Sequence, residues 1–356
     1  MAFLFQHDPP ADAPHLTSVT PSAAMPGGEV EVYGTNLGPF AATASAAMAQ
    51  IPHATIGDVP APITLSRPTR ATLRIPEGSI SGDIIVHRAA TASNPLPLRI
   101  AVPMAENLHP VSNPAVDANG NVYATVSGTR GQAVPASIFQ IQRDFQIRPF
   151  VRDILNATGL AFDPAGNLYT SSRAEGTVYR VTPAGAVSTY AEGMGIATGI
   201  AFDTQGNLYV GDRSGTIFKI GTNQEIFVHA TLEPSMAAYH LAFNSAGTLF
   251  VSGPTTSSNQ SIHAIDPDGN ITTFFQGLGR AQGMAFDVDD NLYIAASLHG
   301  QRGILRITPG HHPEASLIVS GSNLVGLAFL EDGCAALATR DALYHVDLGI
   351  EGRVLS

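Results

Sequence analysis

The groups in this chain best suited to moving a proton or holding an anion collect at one register of an internal repeat. His240, preceded by Tyr239, stands where four of six copies of a repeated phrase carry glycine and the first copy carries Asn113. An imidazole there, titrating near 6.5, suits general acid or base work. One position earlier in the copies come Ser112, Thr158, Thr198, Tyr239, Gln282 and Val325. Arginines gather in the loops beyond. Arg173, Arg213 and Arg340 recur at a fixed offset, which suits bonds between neighbouring repeats. Arg280, Arg302 and Arg130 do not recur, and Arg280 and Arg302 are the better candidates to grip an anion through charge-assisted, bidentate hydrogen bonds. Ser297 and His299 lie in the adjoining loop. With no Gly-x-Ser-x-Gly elbow in the chain, that pair points to binding rather than acyl transfer.

The repeat that must position these groups is an apolar run, an acidic turn and a second apolar run. It reads Gly159-Leu-Ala-Phe-Asp-Pro-Ala-Gly-Asn-Leu-Tyr169 and Gly199-Ile-Ala-Phe-Asp-Thr-Gln-Gly-Asn-Leu-Tyr209, with further copies at Pro114, His240, Gly283 and Gly326. Turn positions Asp117, Asp163, Asp203, Asn244, Asp287 and Leu330 recur every ~40–46 residues, a period typical of propeller blades. The turn acids are tempting as calcium ligands, but Asp-x-x-Gly-Asn fits an Asx-type turn in which the carboxylate caps local backbone and Gly takes positive φ. A third strand follows in every copy, as in Gly176–Val181 and Gly215–Ile220, and usually a fourth, as in Ala186–Tyr190. Six repeats of four strands predict an all-β, six-bladed β-propeller over residues 105–350. Blade six can take its outer strand from the tail at Arg353–Ser356 or from residues just before blade one. If the first strand lines the channel and the acidic turn closes one face, everything preceding that strand emerges at the other face, which puts His240 and Gln282 at a channel mouth.

Residues 12–101 read differently. Glu29-Val-Glu-Val-Tyr-Gly34, Ala71-Thr-Leu-Arg-Ile75, Gly82-Asp-Ile-Ile-Val86 and Leu96-Pro-Leu-Arg-Ile100 are short strands bounded by Pro, Gly or Asn, the pattern of a β-sandwich. Ala41–Ala49 fits either a short helix or a loop. Pro21, Gly27-Gly28, Gly34-Thr-Asn-Leu-Gly38, Pro76-Glu-Gly78 and Ser81-Gly82 resemble the IPT/TIG immunoglobulin-like family. That resemblance implies a binding or spacer module without chemistry of its own.

The blade phrase resembles NHL repeats and, more loosely, the propellers of the senescence-marker-protein/gluconolactonase family and of virginiamycin B lyase. Gluconolactonase-type propellers hold a divalent cation with Glu, Asn and Asp placed just before first-strand glycines. The matching positions here, Ser112, Thr158, Thr198, Tyr239 and Gln282, include no carboxylate, whereas a hard cation needs several oxygen ligands and usually an anionic one. No cofactor is therefore expected and the family's metal site is not carried over; a divalent cation stays open as an alternative, without its usual carboxylate ligands. The lyase-like propellers have a histidine-bearing mouth, a feature His240 resembles, but on seven blades rather than six.

Bulk properties narrow the classes of function. The net charge is −11 and Lys219 is the only lysine, so the phosphate neutralisation that drives nucleic-acid binding has no basic surface to rest on. Cys334, the single cysteine, rules out an intrachain disulfide and reads as a buried filler in a divergent blade. The pair His311-His312 follows Pro309-Gly310 in a loop with no partner carboxylate and reads as solvent-exposed. No basic, cleavable leader and no bilayer-length apolar run is present, so a cytoplasmic protein without membrane attachment is expected. Two functions remain. One is a propeller that holds a small polar or anionic molecule at the mouth, with lactonase-like hydrolase or lyase chemistry. There His240 acts as acid or base, Arg280 and Arg302 hold the anion, and Tyr239 and Gln282 position it. The other is a non-enzymatic scaffold for a protein partner.

Overall fold

The structure is a computed structural model that describes residues 12–38, 52–126, 128, 134–257 and 259–353. Arg130 and the Ala41–Ala49 stretch lie outside the described residues. Contacts divide the chain into two units: residues up to 101 with Ile318–Ser322, and Val102–Leu317 with the residues from Asn323 onward. The described residues are all-β, and the one helical turn among them is a 3-10 turn at Glu331–Gly333.

In the first unit, His15–Thr20, Glu29–Thr35, Arg70–Arg74 and Ile63–Arg67 form one antiparallel sheet in the order 1-2-3-4 as named. A second grouping joins Leu96–Ile100, Gly82–Arg88, His53–Ile56 and Val59–Ala61. Alternating residues of both sheets, among them Val30, Val32, Leu73, Ile84 and Val86, share one buried core. Period-two alternation is what gives each sheet a single apolar face.

The second unit carries six four-stranded antiparallel groupings among the described residues. Each starts from a short first strand: Ala115–Val116, Ala157–Phe162, Ala197–Phe202, His240–Phe243, Met284–Phe286 and Leu324–Phe329. Each of these touches the next, and the sixth touches the first, so the inner strands close into a ring. Blade six obtains its fourth strand from Val102–Glu106, which pairs antiparallel with Ala342–Asp347. Residues ahead of blade one thus settle the choice that the sequence leaves open. Arg353 instead donates its backbone N–H to Phe286 and its guanidinium to Asp290, 2.7 Å away.

The repeated phrase does two structural jobs. At the acidic turn, Asp203 Oδ1 accepts the N–H groups of Gln205 and Asn207 at 2.9 and 2.8 Å, while Oδ2 accepts the Asn207 amide at 2.8 Å. The same set recurs at Asp117 and Asp287. Between blades, the tyrosine or phenylalanine of one second strand meets the phenylalanine of the next first strand edge to face. The pairs are Tyr123–Phe162, Tyr169–Phe202, Tyr209–Phe243, Phe250–Phe286 and Tyr293–Phe329, with centroids 4.9 to 5.1 Å apart. Such contacts add to the area they bury. At the seam between blades six and one the equivalent residues are Ala336 and Val116, and the aromatic contact is instead a tilted one between Phe145 and His345 at 5.6 Å.

Candidate functional site

The ring is narrow where the first strands begin. A Cβ on Gly326 would stand 2.8 Å from the backbone of Asn113, and one on Gly199 would stand 3.0 Å from the Cα of His240. Glycine at this register lets inner strands approach backbone to backbone. Asn113, one of the two exceptions, fills the tight end of the ring. Its amide donates to the Met284 carbonyl at 2.7 Å and its Oδ1 accepts the Leu327 N–H at 3.2 Å.

The other exception, His240, lines a cavity of about 270 Å³. The cavity draws on three blades: Val111 ahead of blade one; Met236, Ala237, Ala238, His240, Pro254 and Thr255 of blade four; and Arg280 and Gln282 of blade five. Blades one and four lie across the ring from each other, so this is the channel mouth. His240 is 4 % exposed. No hydrogen bond to its ring is found among the described residues, and the side chain forms part of the cavity lining. Burial holds its pKa down at about 4, so the imidazole is neutral near pH 7 and offers one donor and one acceptor.

Arg280, in the left-handed region at φ 50°, is exposed and has no ion pair or hydrogen bond among the described residues. The backbone of Gln282 is anchored, its carbonyl accepting the Ser252 hydroxyl at 2.7 Å and its N–H reaching Ala295 at 3.0 Å. Its side-chain amide is left for the cavity.

Tyr239 has a different place from its neighbour. It is 3 % exposed, packs in the core shared with Leu241 and Leu249, and does not line the cavity. Its ring fits against Gly211 and Gly253, and its hydroxyl donates to the Glu233 carbonyl. Burial, followed by the nearby Glu233 and Asp212 charges, pushes its pKa up to about 12. Tyr239 therefore fastens the loop that supplies Met236, Ala237 and Ala238 to the cavity wall. Arg213 does the same from blade three, its guanidinium donating to the Met236 carbonyl at 2.9 Å. The loop is also tied to blade four by the Met236 N–H on Pro254 O at 2.8 Å and the Ser235 hydroxyl on the same oxygen at 3.1 Å. This wall is what sequence reading missed, because the loop lies outside the repeat; the only signal was the pair of glycines, Gly211 and Gly253, that make room for the Tyr239 ring.

The remaining candidates sit around this centre. Arg173 donates to the Gly128 carbonyl at 3.4 Å, and burial, with Arg213 nearby, lowers its pKa. The Ser112 hydroxyl donates to the Thr158 carbonyl. Ser297 reaches the Gly279 carbonyl at 3.1 Å. His299, at φ 49°, and Gly300 form the two-residue turn of an exposed hairpin in which Arg302 pairs with Ser297. None of these five residues lines the cavity.

The donor set does not fit a hard divalent cation. The Ser112, Thr158, Thr198 and Tyr239 hydroxyls all donate to backbone carbonyls, and among the described residues no carboxylate lines the cavity. Among the described residues no group of three or more His, Cys, Asp or Glu side chains lies close enough to hold a metal. No helix of the described residues is long and apolar enough to cross a membrane.

No family profile and no curated protein sequence matches the chain. Solved structures do. A candidate gluconolactonase superposes with TM-score 0.57 at 15% identity, covering 71% of this chain and 93% of its own. A protein of unknown function from Bacteroides thetaiotaomicron gives 0.55 at 14% identity over 95% and 98% of the two chains. An inactive variant of virginiamycin B lyase from Staphylococcus aureus, solved with quinupristin, gives 0.50 at 13% identity over 95% and 97%. The chain has a β-propeller fold. At these identities the likeness is one of fold alone.

Proposed function

We propose that the propeller binds a small polar or anionic molecule at the channel mouth, between His240, Arg280 and Gln282. The observation that carries this reading is a largely buried imidazole that shares the lining of one cavity with the Arg280 guanidinium and Gln282. A ligand carboxylate here gains charge-assisted hydrogen bonds from the guanidinium and a further bond from the imidazole. The chemistry that fits is lactonase-like hydrolase or lyase work in which neutral His240 accepts a proton and Arg280 steadies the developing anion. The fold likeness to a candidate gluconolactonase and to a lyase is compatible with it. With a pKa of about 4, His240 is unprotonated at neutral pH and so has no proton to supply; as an acceptor its basicity is low until an anion beside it raises it.

A thermal-shift screen of sugar lactones, sugar acids and simple carboxylates, run on the full chain and on Arg280→Gln, tests the reading. Stabilisation of the parent that shrinks in the variant supports it. Equal stabilisation of both, or of neither, overturns it.

A second reading, a protein-interaction scaffold, is favoured by the outer strand of blade three, where Ile226, Phe227 and Val228 are exposed in succession. Apolar side chains on an unpaired sheet edge invite strand addition. The first unit, on its resemblance to IPT/TIG domains, would serve as an immunoglobulin-like spacer or binding module, and the blades as NHL-type repeats.

A further inference from the structure

We propose that the molecule held at this mouth is a compact apolar carboxylate bearing a hydroxyl or amide N–H beside its acid group. This deepens the reading above and rests on it.

Charge is the first constraint. Among the described residues Arg280 is the sole cationic side chain lining the cavity, and its planar fork matches a carboxylate. In the ligand-free protein His240 adds no second positive charge near neutral pH, because burial disfavours the imidazolium. One cation suits one negative charge rather than the two of a phosphate monoester.

The wall is the second constraint. Val111, Ala237, Ala238 and Pro254 are apolar, and Met236 is 63 % exposed, a flexible apolar side chain that a ligand would cover. A polyhydroxylated acid would press several hydroxyls onto this surface without partners, at a cost for each. An aliphatic or aromatic body instead gains the burial.

The third constraint is the unpartnered imidazole. Its acceptor nitrogen calls for a donor on the ligand, and its N–H, with the Gln282 amide, can bond an oxygen nearby. A hydroxyl or amide next to the carboxylate meets that demand while Arg280 holds the acid. The cavity volume equals that of about nine liquid waters, so the ligand carries on the order of ten non-hydrogen atoms.

Isothermal titration calorimetry on the full chain at pH 7.5 tests this with four probes. Mandelate has all three features, phenylacetate lacks the hydroxyl, mandelamide lacks the charge and gluconate lacks the apolar body. Mandelate is expected to bind tightest. Phenylacetate should be roughly fivefold weaker for one hydrogen bond, and mandelamide at least about tenfold weaker for the charge-assisted pair. Arg280→Gln, an exposed substitution that leaves the core intact, should erase the difference between mandelate and mandelamide. If gluconate binds as tightly as mandelate and loses affinity in Arg280→Gln, the ligand class is wrong while the anion-binding mouth stands. If mandelate binds Arg280→Gln as well as the parent, the proposed grip is wrong. If no probe binds at millimolar concentration, the ligand class and the anion-binding mouth both fall.

Discussion

Gly199 lies directly against the backbone of His240, so that a Cβ on it would come within 3.0 Å of the His240 Cα and closer still to the Tyr239 carbonyl oxygen. Neither atom can rotate away, because both belong to the main chain of the next blade. Gly199→Ala should therefore cost on the order of 1–3 kcal/mol through overpacking, read as a lower urea midpoint with an unchanged slope. An unshifted midpoint would show that the ring is looser than its contacts imply.

His240 makes stability depend on pH. Its folded pKa of about 4 is below the ordinary value near 6.5, so between those values the unfolded chain binds the extra proton. The stability tied to the neutral ring is complete above about pH 6.5 and is lost as pH falls toward 4, by about 3 kcal/mol in all. His240→Gln removes this component. Urea unfolding at pH 7.5 and 4.5 should thus show a smaller acid-induced loss in the variant than in the parent. Parallel losses would mean that the imidazole is hydrated and free to charge.

Tyr239→Phe deletes one hydroxyl and leaves the Glu233 carbonyl without that partner. About 1 kcal/mol of stability should go with it. The more telling readout is local: amide exchange at Met236 and Ala237 should quicken while exchange in the blade-two strands stays put. Uniform protection across both would deny Tyr239 any part in holding the cavity wall.

The aromatic pairs between blades should show measurable coupling. In a double-mutant cycle on Tyr169→Leu and Phe202→Leu, whose rings stand edge to face at 4.9 Å, the interaction energy should fall at roughly 0.5–1.5 kcal/mol. Additive effects would reduce the pair to plain burial.

These residues also show what the sequence can and cannot disclose. The acidic turns were legible because the bonds that Asp203 accepts from Gln205 and Asn207 close within four residues of it, so the pattern and the structure are the same information. The position of His240 was legible as a break in a sixfold pattern, for a ring with one dissimilar member has to accommodate it. The cavity it lines was not, since the other walls include Met236, Ala237 and Pro254, which lie in loops outside the repeated phrase. Tyr239 shows the same limit in reverse. Its place in the repeat put it at the mouth, but the space left by Gly211 and Gly253 draws its ring between strands instead. The fourth strand of blade six escaped for a different reason: both available segments are short, and only pairing with Ala342–Asp347 distinguishes them.

That pairing reaches beyond the ring's geometry. Because Val102–Glu106 completes the sheet begun by Leu324–Phe329, the earliest and latest stretches of the propeller are edge partners within one blade. Five blades can be assembled from contiguous chain as it is made, whereas the sixth must wait for the whole ring sequence to be present. The seam beside it also lacks the edge-to-face pair that the other blades share, Ala336 and Val116 standing at those positions. Synthesis from the N-terminus would therefore leave Val102–Glu106 an unsatisfied strand until the last repeat emerges, and that interval is when the chain is most open to pairing with another copy of itself.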